Sequence, residues 1–123
     1  MNDALDAIQD YYKAFSTLDL DACAPFFALP CMFVGLQGTF AVANRDDLAK
    51  VLGPVIEALK TRDYQRSEFI EPQLTTLTQN AALVRGVAVR YRASGTELER
   101  VPINYLMHQT GAAWKIAVVA SAQ

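Results

Sequence analysis

Glu99–Gln123, ERVPINYLMHQTGAAWKIAVVASAQ, is the stretch whose reading decides the fold. It reads as two long antiparallel strands joined at Gln109–Ala113, closing a curved sheet. Side chains alternate faces along a strand. Val101, Ile103, Tyr105 and Met107 therefore share one side, and Pro102, Asn104, Leu106 and His108 the other. After the turn, Trp114, Ile116, Val118 and Ala120 form one set, and Lys115, Ala117, Val119 and Ser121 the second. An antiparallel sheet covered on one face alone alternates apolar-in with polar-out. Here neither set is polar throughout, so something is expected against both faces. A one-residue slip exchanges the two sets, and the pattern leaves open which of them points inward.

Working outward, Tyr64–Leu77 and Ala81–Ala93 read as two more long strands, the second turning at Ser94–Gly95. Pro72 has no N–H for a ladder and marks an edge or a bulge. Cys31–Gly35 and Thr39–Val42 read as short strands around Gly35–Gly38, where glycine permits a tight reversal. Three helices complete the set. Asp3 is the N-cap of the first, with Leu5, Ile8, Tyr12 and Phe15 as its apolar stripe and Tyr11 beside it. Asp19 and Asp21 open a short second helix carrying Pro25, Phe26 and Phe27, which Pro30 ends. Asn44 caps the third, whose buried face is Leu48, Val51, Leu52, Val55, Ile56 and Leu59; Gly53–Pro54 predicts a kink there. The order is helix, helix, short strands, helix, then four long antiparallel strands. That order is α+β.

Composition narrows the function. The 123 residues fit one domain, 1–123, and 52% of them are apolar, enough for a core. Eleven Lys and Arg against thirteen Asp and Glu give a net charge of −2. Such a balance offers no footprint for nucleic acid or anionic lipid. The acidic start MNDALDAIQDYY lacks the regions of a signal peptide. No apolar run reaches the roughly 18 residues of a membrane span. Cys23 and Cys31 then read as free thiols in a reducing cytoplasm, which is the expected location. One histidine and two separated cysteines make no zinc cluster, and no phosphate loop or nucleophile triad appears. No metal or cofactor is expected.

The element order, with IQDYYKAFSTLDLDACAPFF over the first two helices, NRDDLAKVL in the third and WKI opening the last strand, resembles the nuclear transport factor 2-like superfamily. That superfamily includes SnoaL-like polyketide cyclases and ketosteroid isomerase, and the resemblance covers essentially the whole chain. It implies a cystatin-like cone, with three N-terminal helices packed on a curved, mainly antiparallel sheet and a pocket between them. It also implies a homodimer through the outer sheet face. Residue by residue, the isomerase's catalytic tyrosine falls on Tyr11, counting back from Asp19. Its general base falls on Gly35 or a neighbour, and its second acid near Leu106. Nothing from Cys31 to Gly38 takes a proton as a carboxylate does, so steroid isomerisation is rejected.

The expected pocket uses Tyr11, Asn104 and His108 as polar contacts, with Phe27, Phe33, Leu52 and Leu106 around them. Each has a plainer reading. His108 sits inside the cone with Asn104, or near the hairpin end facing solvent or a partner. Tyr11 bonds a ligand oxygen or only backbone. Gly86, Ala88 and Ala117 leave room on one face or let elements pack closely. Leu83, Val87, Val89 and Tyr91 lie opposite as dimer contacts, with Arg85 among them. Arg90, Arg92 and Arg100 are more simply a solvated strand edge than an anion site. Three functions follow: a protein that binds a small apolar molecule, a cyclase- or isomerase-type enzyme using His108 and Tyr11, or an interaction module with a filled pocket.

Overall fold

The computed structural model describes residues 3–122. Helix α1 spans Ala4–Phe15 and starts where Asp3 caps it. The Asp3 carboxylate accepts from the Asp6 N–H at 2.8 Å, and the Asp6 carboxylate accepts in return from the Asp3 N–H. Its buried stripe is Ala4, Ile8, Tyr11, Tyr12 and Phe15. Tyr11 thus belongs to the stripe, while Leu5 is only half-buried. Asp19 caps the single turn of α2, Leu20–Cys23, and a 3₁₀ turn follows at Ala24–Phe26.

Strand β1 runs Phe27–Gly35, four residues earlier than the sequence suggested. Phe27 is therefore a strand residue, and Pro30 lies inside the strand instead of ending a helix. The pairing of β1 with the last strand is interrupted between Phe27 and Met32, the interval that holds Pro30 and its cis bond to Leu29. A proline lacks the N–H that unbroken pairing needs. Strand β2, Gly38–Val42, completes the hairpin.

Helix α3, Arg45–Lys60, comes next, opened by Asn44 accepting from the Asp47 N–H at 2.9 Å. It runs unbroken through Pro54. The three helices are therefore not all N-terminal: two precede the sheet, and α3 follows its first hairpin. Strands β3 (Tyr64–Thr78), β4 (Ala81–Arg92), β5 (Glu97–Thr110) and β6 (Ala113–Ser121) finish a six-stranded sheet ordered β2-β1-β6-β5-β4-β3. All neighbours are antiparallel except β1 and β6. Pro72 fulfils both of its readings. Strand β3 is an edge, and its register with β4 breaks between Ile70 and Gln73, with Glu71 at φ +52°.

The hairpin of β5 and β6 settles which face is inward. Tyr105 and Met107 are buried in the core, so Val101 and Ile103 face the helices with them. Across the ladder Met107 meets Ile116, but Tyr105 meets Val119 and Ile103 meets Ser121. The register shifts by one at Ala117, a β-bulge. Strict alternation in β6 therefore fails: Ile116, Val119 and Ser121 share the inner face, and Val118 and Ala120 turn outward. On β4 the inner set is Ala82, Val84, Gly86, Ala88 and Arg90, opposite Met107 through Glu99. Gly86 is required there: a Cβ on it would lie 2.4 Å from Cζ of Phe69, whose ring fills the space.

Candidate functional site

The buried stripe of α1, the apolar face of α3 and the inner sheet face do not close completely. Between them lies a cavity of about 300 Å³. Helix α1 lends Tyr11, Tyr12 and Phe15, and α3 lends Val51, Leu52 and Val55. The sheet supplies Phe33, Ala88, Val101, Ile103 and Val119 as its apolar floor. Besides Gln37 and Ser121, three polar features interrupt this lining.

The first is a tyrosine pair. The Tyr12 and Tyr105 hydroxyls are 2.7 Å apart, one donating to the other. Tyr11 packs edge-on against the Tyr12 ring, centroids 5.8 Å apart, and against Phe27 at 5.4 Å. Burial raises the pKa of all three phenols above the ordinary value. They are neutral hydroxyls at physiological pH, able to donate or accept a hydrogen bond. The second is Ser67, buried, whose hydroxyl lies 2.7 Å from that of Tyr64.

The third is Arg90, only 8% exposed. Its Nη1 donates to Glu99 Oε2 at 2.8 Å, while Arg62 Nη1 lies 2.6 Å from Glu99 Oε1. Burial pushes the Glu99 pKa up, but the Arg62 hydrogen bond together with the charge and hydrogen bond of Arg90 outweighs it, and the net shift is downward. The Arg90 Nε–H has no hydrogen-bond partner. An unmet buried donor of this kind costs about 1–3 kcal/mol. The guanidinium carbon sits 5.7 Å from the Phe15 ring centroid. Arg92 and Arg100 do not join it. Arg92 donates to the Glu97 carbonyl, and Arg100 grips the Glu97 carboxylate at 2.7 and 3.0 Å. The solvated-edge reading describes those two and fails for Arg90, because strand alternation turns Arg90 into the cone.

Of the residues expected at the pocket, Tyr11, Phe33 and Leu52 line it together. Phe27 is one layer behind, buried and stacked on Phe33 with centroids 5.6 Å apart. Asn104, Leu106 and His108 are not in the cone. They occupy the outer face, because Tyr105 and Met107 carry more apolar surface and take the inward positions. Asn104 lies in a shallow outer depression with Arg85 and Gln73. His108 is exposed opposite Lys115, its Nδ1 3.5 Å from the Thr110 hydroxyl. Tyr11 and His108 therefore do not meet across one cavity. Sequence reasoning missed Tyr12, Tyr105 and Arg90 as site residues. The available signal was the greater apolar bulk of the Val101, Ile103, Tyr105 and Met107 set, which marks the side a strand buries.

Sequence and structure comparisons agree with this architecture. Residues 2–123 match the family described as NTF2-like protein (DUF6841). An NTF2-like protein with a cystatin-like fold from Novosphingobium aromaticivorans is similar at a TM-score of 0.75 and 18% identity, over 95% of this chain and 77% of that one. A protein with a cystatin-like fold from Nostoc punctiforme gives 0.74 at 11% identity, over 98% and 92%. A ketosteroid isomerase-like protein from Erwinia carotovora atroseptica gives 0.71 at 17% identity, over 97% and 92%. At such identities the likeness is one of fold. No curated protein matches the sequence.

Proposed function

The chain belongs to the NTF2-like family DUF6841, and on that premise we propose that its cone binds a small, mainly apolar molecule between sheet and helices. One observation carries the reading: the cone is neither filled nor polar. A cavity of about 300 Å³ with aromatic and aliphatic walls and a few placed polar groups suits a small ligand. A filled interaction module fits this geometry poorly. An enzyme built on His108 and Tyr11 fits it worse, since His108 lies on the far side of the sheet. Among the described residues that line the cavity there is no carboxylate and no imidazole to act as a general base.

The test is titration with 1-aminoanthracene, a neutral fluorescent probe, against the protein and a Val55→Trp variant whose added ring occupies the cavity. Enhancement in the parent protein and its loss in the variant, at similar melting temperature, is the expected result. No enhancement in the parent sinks the reading.

A second proposal concerns the outer sheet face. Met32 and Val34 are 38% and 37% exposed, and Val118, Leu106 and Leu83 continue the apolar stripe across the central strands. We propose that a second copy covers it in a two-fold, self-complementary contact. A cytoplasmic setting suits the unpaired thiols of Cys23 and Cys31. Among the described residues no helix is long and apolar enough to cross a membrane.

A further inference from the structure

We infer that the molecule held in the cone is an apolar acid, whose terminal carboxylate meets the guanidinium of Arg90. The inference rests on the pocket reading above and adds the chemical class of the ligand.

Three observations converge on Arg90. First, it lines the cavity and is more than nine-tenths buried, yet its Nε–H has no acceptor. Buried donors are almost always satisfied, so one left open on a side chain that lines a cavity points to a missing partner. Second, Nη1 is already committed to Glu99. The edge of the guanidinium that carries Nε is the edge carboxylates take in side-on, two-bond pairing. Third, Arg62, Glu99 and Arg90 form one chain in which a single carboxylate serves two guanidinium groups. Together the three side chains carry one net positive charge. Among the described residues lining the cavity there is no Asp or Glu to offset it.

A neutral carbonyl would satisfy the donor and leave the charge. A carboxylate answers both. A cationic ligand would be repelled. Leu52, Val55, Val101, Ile103 and Val119 then receive the apolar body. The Tyr12–Tyr105 pair spends one of its two protons internally, and Arg90 supplies the charge that the pair lacks.

The experiment compares octanoate, 1-octanol and octylamine by calorimetry at neutral pH. They share one apolar chain and differ in the head. Octanoate is expected to bind about tenfold more tightly than 1-octanol, with octylamine weakest. The double variant Arg90→Met, Glu99→Gln removes both members of the inner pair and leaves the remaining charge, Arg62, half-exposed to solvent. It is expected to bind octanoate no more tightly than 1-octanol. Because that variant is able to misfold, the parent protein is also read directly. Its Arg90 Nε–Hε proton resonance is expected to move downfield on adding octanoate and to stay in place with 1-octanol. Octanol binding as tightly as octanoate, or a stationary Nε–Hε signal with octanoate bound, overturns the inference and leaves the pocket reading standing. If 1-aminoanthracene binds but octanoate neither binds nor displaces it, the acid alone is wrong. If neither binds, both readings fall.

Discussion

The hydroxyls of Tyr12 and Tyr105 come within 2.7 Å of each other across 93 residues of sequence, joining the first helix to the fifth strand inside the core. Each is the other's partner, and both rings are buried. Losing one hydroxyl leaves the other unmet, which costs about 1–3 kcal/mol; losing both leaves only apolar contact. Tyr12→Phe and Tyr105→Phe are each expected to destabilise in that range, and the double variant less than either. Urea unfolding measures all three. Strictly additive losses would show that the two hydroxyls are not coupled.

Gly86 faces the Phe69 ring on the neighbouring strand. A Cβ there would meet Phe69 Cζ at 2.4 Å, Cε1 at 2.7 Å and the Ile70 carbonyl oxygen at 2.9 Å. Replacing glycine by alanine gains about 0.4–1 kcal/mol through the unfolded chain. Forcing a methyl into a packed site costs about 1–3 kcal/mol. Overpacking wins, so Gly86→Ala is expected to lower the melting temperature. Adding Phe69→Leu recovers part of the loss, not all, because the backbone oxygen stays. A Gly86→Ala protein as stable as its parent would contradict the packing described.

Leu106 is placed on the outer face, at the centre of the apolar stripe with Leu83 and Val118 across its ladders. If a second copy covers that stripe, the protein sediments as a dimer and Leu106→Arg as a folded monomer. The circular dichroism of the variant is expected to match the parent. A parent protein that is monomeric at micromolar concentration removes the dimer proposal.

Glu99 supplies a pH dependence. Its folded-state pKa is lowered, so it contributes stability that is complete above its unfolded value, near the ordinary 4.5, and lost as pH falls through the folded value. Glu99→Gln discards the charge at every pH. The stability difference between parent and variant is therefore expected to be largest near neutrality and to shrink as pH drops below 4.5. Chemical denaturation at a series of pH values measures it. A difference that grows on acidification would reverse the assigned sign.

Much of the fold was legible because its signals are local. Asp3, Asp19 and Asn44 each accept backbone N–H groups at a helix start, as their residue types require. Pro72 marks an edge strand and a break in register, since proline tolerates little else in a sheet. The start of β1 was missed because Pro30 looks like a terminator. It sits where β1 loses regular pairing with β6, so the strand accommodates it. The site was half legible. Tyr11, Phe33 and Leu52 reach the cavity; Leu52 lies on the predicted buried face of α3, and Tyr11, read as flanking the α1 stripe, is part of it. Asn104, Leu106 and His108 were expected inside the cone, and one position of parity sends all three outward.

The sequence by itself determined which residues of the closing hairpin travel together, because strand geometry has a period of two. It also determined that both sets carry apolar surface. Only the tertiary structure decided which set is inside. That choice depends on burying Tyr105 and Met107 under α1 and on the bulge at Ala117, which changes the parity of β6 halfway along. The same decision turned Arg90 from a surface charge into the polar end of a cavity. Its partner Glu99, from β5, and Arg62, which shares that carboxylate from beyond α3, lie 9 and 28 positions away in the chain and meet it only when the sheet is assembled.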